Sequence, residues 1–205
     1  MSEFETHLLP NGLRVDFYPE THVYKVGDRE LPSITTIMKK VYGDTYASVN
    51  PELLKRSAEY GTAVHEELEH LIEMRKTNPG VPLFSTYQEV NNYFTYVEDI
   101  YKIEPILNEK VVVLYDQEGI PQAAGRFDLL CKVSGDLTLA DFKTTSTIHK
   151  QLVTAQLNLY LTAAVQSGYL ENNNIKLGVI HLSGETGKFV PITKLADNFY
   201  LKFIN

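Results

Sequence analysis

Residues 124–143, AGRFDLLCKVSGDLTLADFK, decide how this chain is read. Two apolar-rich segments, Gln122 to Val133 and Leu137 to Phe142, flank Ser134-Gly135-Asp136, and the pattern predicts a β-hairpin closed by a glycine-containing turn. Each strand carries one aspartate. Asp128 interrupts an apolar run, and Asp141 stands among Leu137, Leu139 and Phe142. Strand side chains repeat every second residue, so Asp141 and Lys143 share a face. A carboxylate inside an apolar strand costs several kcal/mol unless it is paired or bound to a cation. Two readings follow. Either the aspartates and Lys143 form a structural ion pair, or Asp128, Asp141 and Lys143 form the grouping that metal-dependent phosphodiester chemistry requires. In the second, hard oxygen ligands hold Mg²⁺ or Mn²⁺ against a phosphate, and the ammonium orients water or neutralises developing charge.

Immediately upstream, Leu107 to Tyr115 reads as a strand with Glu109 near its start, and Gln117-Glu118-Gly119 turns it into the hairpin. Three sequential strands then form an antiparallel meander. Downstream, Thr144-Thr145-Ser146-Thr147 leads into a helix from about Lys150 to Gln166, with Leu152, Ala155, Leu159 and Ala163 at core positions. Gln156 and Tyr160, four residues apart, lie on one face of it. The same spacing also suits a partly exposed Gln beside an amphipathic Tyr. No acidic residue occurs from Phe142 to Leu170, whereas Lys143, His149 and Lys150 do.

Towards the N-terminus, Asn50-Pro51-Glu52 combines an N-cap, a proline at the first helical position and an acid in the first turn. The helix should run to about Arg75 or Lys76 and stop at Asn78-Pro79-Gly80. Leu54, Ala58, Gly61, Val64, Leu68, Leu71 and Ile72 make its expected buried stripe, with Glu66, Glu67, Glu69 and Glu73 on the wetter side. His65 falls at the stripe edge one turn after Gly61, a place held more often by a hydrogen-bonded packing residue than by a ligand. Ser85-Thr86-Tyr87-Gln88 has the form of a capping box, opening a helix that Pro105 would end. Arg14 to Tyr18 and His22 to Val26 predict a small hairpin or meander over about residues 13–32. Ser33 caps a following helix with Ile34, Ile37, Met38 and Val41 at helical spacing, and residues 42–49 read as a loop. After the Lys150 helix come a strand from Ile175 to Leu182, a loop from Ser183 to Lys188, a strand from Phe189 to Ile192, and a helix including Tyr200, Leu201, Phe203 and Ile204.

Composition bounds the rest. With 205 residues, 43% hydrophobic and 22% charged, residues 1–205 are expected to form one globular domain with its core over about 50–193. No apolar run approaches the ~20 residues of a membrane span, and MSEFETHLLPNG lacks the pattern of a signal peptide, so a cytoplasmic location without membrane attachment is expected. The single cysteine, Cys131, excludes an internal disulfide or a cluster built on several thiolates. A formal net charge of −7 argues against coating nucleic acid by bulk attraction. It leaves room for a site that brings its own positive charge as metal ions.

Four separated signals fall in one order: Gly61-Thr-Ala-Val-His65, Gly125-Arg-Phe-Asp128, Asp141-Phe-Lys143 and Gln156-x-x-x-Tyr160. This order resembles the RecB-type branch of the PD-(D/E)xK nuclease superfamily over roughly residues 20–165. The opening His22-Val-Tyr24 and Leu31-Pro-Ser-Ile-Thr35 are similar to phage exonucleases and the mitochondrial genome maintenance exonuclease. The resemblance implies an α/β restriction-endonuclease-like core, a mixed central sheet flanked by helices. It implies a metal-dependent DNA exonuclease acting on single-stranded or frayed ends in phage or bacterial recombination or repair. An endonuclease of the same chemistry and a non-catalytic binding module on the same fold stand as alternatives. Catalytic roles would fall to Lys143, Asp141 and Asp128. His65, Asp128, Asp141 and the backbone carbonyl of Phe142, with Glu109 as an additional carboxylate of unfixed register, would hold one or two Mg²⁺ or Mn²⁺ ions. Gln156, Tyr160, Thr144 and Arg126 would position substrate. The partners implied are DNA and a single-strand annealing or binding protein. Relatives with an iron–sulfur cluster use four cysteines, which this chain does not have.

Overall fold

The predicted hairpin is the middle of a five-stranded mixed sheet. The structure, a computed structural model, describes residues 4–43, 49–171 and 174–204. Strands β5 (Ile103–Tyr115), β6 (Pro121–Val133) and β7 (Asp136–Lys143) run antiparallel in succession; β8 (Lys176–Ser183) joins β7 in parallel, and β9 (Thr186–Ile192) closes the order β5-β6-β7-β8-β9. Ser134 and Gly135 both take positive φ, 50° and 90°, and Val133 pairs with Asp136, so the hairpin closes in two residues. Left-handed φ at both central positions matches the twist of the strands it joins.

Two helices cover this sheet. On one face lies α2 (Pro51–Thr77), started by Asn50, whose side chain accepts from the Glu52 N–H. Its Val64, Leu68 and Ile72 pack with Leu129, Cys131, Ala140 and Phe142 of the strands. Each such side chain contributes about 1.5–3 kcal/mol on burial. On the other face lies α4 (Lys150–Gln166), where Ala155, Leu159 and Ala163 pack with Val112, Phe127 and Leu139. The crossover β7-α4-β8 supplies the parallel pair, which needs such a connection. A second, antiparallel sheet of β1 (Glu5–Leu8), β2 (Arg14–Tyr18), β3 (Val23–Val26) and β4 (Arg29–Leu31) precedes α1 (Ile34–Tyr42). It packs Val15, Phe17 and Tyr24 on Val111 and Val113, and Ser33 bridges in parallel to Ala124. Ser33 caps α1 as expected, accepting from Thr36 N–H, and Ile34, Ile37 and Met38 join the α4 core.

Several expectations are corrected. The N-terminal meander begins at Glu5 rather than near residue 13, because β1 is a largely exposed, polar edge strand with no apolar signal. The helix expected from Ser85 to Pro105 is only α3 (Gln88–Asn92) followed by a π-helical turn, Tyr93–Val97. Ser85 Oγ accepts from Tyr87 N–H, and Asn91 binds the Ser85 backbone at both N–H and C=O, so the capping box is not formed. Pro105 lies inside β5, at an irregularity between Pro105 and Leu107. An edge strand tolerates a residue without an N–H there. The buried stripe of α2 starts at Val64; Ala58 is exposed and Leu54 only half-buried. The loop expected over 183–188 is a tight turn at Gly184-Glu185. The C-terminal helix reduces to α5 (Leu201–Ile204). In the loop expected over 42–49, residues 44–48 lie outside the described ones. No described helix is long and apolar enough to cross a membrane.

Candidate metal centre

The β6–β7 ladder stops at Leu129 and Ala140. Beyond it the Asp128 carboxylate replaces the backbone partner: Phe142 N–H donates to Asp128 Oδ2 at 2.7 Å. Strand β7 is held on its other side by β8 as far as Lys143 and His181. The result is a fork with Asp128 on one prong and Asp141 and Lys143 on the other. Within β6, Phe127 packs on the α4 side and Leu129 on the α2 side, so strict alternation breaks at Asp128. Opposite the break, Glu109 lies between the paired residues Asn108 and Lys110 and takes a positive φ of 45°. That conformation is rare for a residue with a β-carbon and concentrates at functional sites.

The fork meets the long helix. Along α2, Gly61, Thr62, His65, Glu66 and Glu69 recur at helical spacing and line a cleft of about 380 Å³ together with Glu109, Arg126, Asp128 and Tyr160. His65 Nδ1 lies 3.5 Å from Asp128 Oδ2, and its ring meets Phe142 edge-on at 5.9 Å. One ligand atom each of His65, Glu109 and Asp128 falls within 4.8 Å of the others, the one such group among the described residues. An imidazole and two carboxylates make an N/O donor set suited to Mn²⁺ or Mg²⁺. The three come from α2, β5 and β6, so the cluster exists only in the folded chain.

Asp141 is buried beside this cluster, and its Oδ2 pairs with Lys143 Nζ at 2.7 Å. Burial pushes its carboxyl up from the usual 3.8, the Lys143 ammonium opposes that, and the Asp128 carboxylate adds to the rise. Glu109 is pushed up in the same way, first by burial and then by Asp128, against the pull of Arg126. In both, burial comes first, and the neighbouring Asp128 carboxylate adds to it.

The remaining expected residues are placed as follows. Arg126 Nε binds Glu109 Oε2 at 2.9 Å while its guanidinium lies 5.3 Å over the Phe17 ring, so it faces the carboxylates. Tyr160 is buried against Gly125: a β-carbon on Gly125 would stand 2.8 Å from Tyr160 Cε1, which explains glycine there. Gln156 hydrogen-bonds the Tyr160 hydroxyl, whose pKa burial drives far up. Thr144 faces α2, its Oγ1 3.8 Å from where a Gly61 β-carbon would sit; that is ordinary contact, so packing does not demand glycine at 61. Phe142, whose carbonyl the resemblance puts among the ligands, is tied to Asp128 through its N–H.

Three cleft or fork residues were not foreseen. Glu69, assigned to the wet side of α2, is half-buried in the cleft, and burial raises its carboxyl. Its place two turns after Gly61 and one after His65 was a legible signal. His22 lines the same cleft with φ 52°, and burial lowers its imidazole. His181 contacts the Thr145 carbonyl through Nε2 at 2.7 Å and so steadies the segment after Lys143. Neither histidine carried a spacing that reveals this.

The sequence matches no protein-family model and no curated protein. Among solved structures it is similar to one described as "Crystal structure of SSO0001", at 14% identity and a TM-score of 0.44, covering 74% of this chain and 60% of that one.

Proposed function

We propose that this chain is a divalent-metal-dependent deoxyribonuclease with a RecB-type PD-(D/E)xK core, hydrolysing phosphodiester bonds from single-stranded or frayed ends. The observation that carries the reading is the convergence of His65, Glu109 and Asp128 from three elements, beside the buried Asp141–Lys143 pair. A buried ion pair adds little to stability against an apolar replacement of the same size. Its presence at the mouth of a carboxylate cluster therefore favours chemistry over scaffolding.

His65, Asp128 and Glu109 would hold the cation, with Asp141 and the Phe142 carbonyl as the further donors implied by the resemblance. A bound Mg²⁺ or Mn²⁺ supplies a water of lowered pKa and polarises the scissile phosphate. Lys143, paired with Asp141, would hold the nucleophilic water and balance charge gathering on the phosphate oxygens. Water oxygen bonds to phosphorus as the P–O3′ bond breaks. One proton of that water ends on O3′ and the other leaves to solvent, giving a 5′-phosphate and a 3′-hydroxyl. Asp128 does two things at once: it donates an oxygen to the cluster and anchors the backbone of β7, so the fork keeps its spacing. Tyr160 and Gln156 form the wall behind it.

The test is cleavage of end-labelled single-stranded DNA in Mn²⁺, beside a closed circle of the same sequence. Loss of the linear strand with the circle intact is expected. Equal cutting of both would make the enzyme an endonuclease, and no cutting of either would overturn the assignment.

A further inference from the structure

The carboxylate cleft has one exception to its acidic lining. Glu66, Glu69, Glu109 and Asp128 face it, and Arg126 is the one lysine or arginine among its described lining residues. Across the fork, Lys143 is committed to Asp141 and lines a second cavity, of about 310 Å³, with Lys39, His149, Met38 and Ile148. Arg126 is therefore the resident strong base of the acidic side.

Its seat is a carboxylate with another claim on it. Arg126 Nε meets Glu109 Oε2 at 2.9 Å, with the side chain one-third exposed and the guanidinium lying over Phe17. Glu109 is also one of the three residues that converge as a cation site. A guanidinium keeps its proton at any ordinary pH, so it can yield Glu109 only by moving. Like charges in a half-buried cleft are poorly screened by salt, which favours the move.

Glu69 offers the second seat. Half-buried on α2, it lines the same cleft, and among the described residues its side chain makes no ion pair or hydrogen bond. Burial raises its carboxyl, and of the charges opposing that rise Arg126 acts most strongly, ahead of Lys110. The guanidinium thus sits on one carboxylate within electrostatic reach of the other. No step of the proposed hydrolysis uses Glu69.

We propose that Glu69 is a positioning residue for the metal centre: it takes the Arg126 guanidinium from Glu109 when a divalent cation arrives, which frees Glu109 to ligate. The inference rests on the metal centre of the nuclease reading and deepens it, because the cleft then exchanges an internal cation for an external one. No covalent bond changes.

A double-substitution cycle read by Mn²⁺ calorimetry tests it. Arg126→Gln removes the competitor and should tighten Mn²⁺ binding roughly tenfold. Glu69→Gln leaves the guanidinium without its second seat; it should weaken binding roughly tenfold in the wild-type background and by less than about twofold beside Arg126→Gln. Glu66→Gln removes the same charge from the same cleft wall and should act equally in both backgrounds, which measures bare electrostatics. Melting temperatures check that each variant is folded. A Mn²⁺-bound structure should show the guanidinium moved from Glu109 to Glu69. Weaker Mn²⁺ binding in Arg126→Gln would mean that Arg126 orients Glu109 as a ligand, and an equal loss from Glu69→Gln in both backgrounds would make Glu69 a direct ligand; either overturns the proposal. So does absence of Mn²⁺ binding in both wild type and Arg126→Gln. Failure to cut DNA with the cycle as expected overturns the nuclease reading and leaves the exchange standing.

Discussion

The two cavities flanking the fork are of similar size, about 380 and 310 Å³, and of opposite chemistry. Glu66, Glu69, Glu109 and Asp128 line the first, and the described lining of the second contains no acid. The difference arises from chain geometry. Strand β7 delivers Lys143 to the boundary and α4, which has no acidic residue, builds the far wall. The near wall comes from α2, whose glutamates recur at helical spacing. Acidic and basic side chains are thus sorted across one wall among the described lining residues, within a chain of net charge −7.

The sharpest way to break this contrast is on the acidic side. Asp128→Ala removes a donor and frees the Phe142 N–H at once; the expected result is no Mn²⁺ heat in calorimetry and no detectable cleavage. An unchanged titration would return the cluster to scaffolding. Lys143→Ala acts from the other side of the boundary. It should leave Mn²⁺ affinity within a few-fold while turnover falls by about 10²–10⁴, the range for removing one transition-state contact, read by single-turnover kinetics.

Glu109→Gln should weaken Mn²⁺ binding by less than Asp128→Ala does, and it should alter the pH dependence of metal-free stability. With its carboxyl pushed from 4.5 to about 9, folded Glu109 keeps a proton that the unfolded chain releases in that window. Metal-free stability should thus fall as pH rises from about 4.5 towards about 9, and the Gln variant should flatten that slope in melting curves. For the same reason Mn²⁺ binding should release protons and tighten with pH.

The two motif glycines supply the smallest effects and opposite signs. Gly125→Ala forces Tyr160 or β6 to move, at about 1–3 kcal/mol of stability, visible as a lower melting temperature. Gly61→Ala meets only an ordinary contact with Thr144, so removing a helix-interior glycine should stabilise by about 0.5–1 kcal/mol. A large loss of cleavage in that well-folded variant would show that substrate, rather than protein, needs the space at Gly61.

Much of the local structure was legible. Asn50-Pro51 starts α2, Ser134-Gly135 closes the hairpin, and Asp141 and Lys143 share a face because strand side chains alternate. Glu109 was not legible in register, since its positive φ is a local irregularity with no sequence mark. Pro105 misled as a helix stop because an edge strand accepts it too. The exposed first turns of α2 misled because apolar spacing does not reveal whether anything packs against it.

Residue order and periodicity by themselves determined the α/β elements, the hairpin and the candidate residues Asp128, Asp141 and Lys143, because those patterns act over a few neighbours; His65 became a candidate only through the resemblance. Tertiary structure alone decided that Glu109 joins His65 and Asp128, that Arg126 turns to Glu109, and that a cavity lined by Lys39, Lys143 and His149 backs onto the acidic cleft. Those contacts join positions far apart in the chain, and their distances are set by how α2 and α4 pack on opposite faces of one sheet.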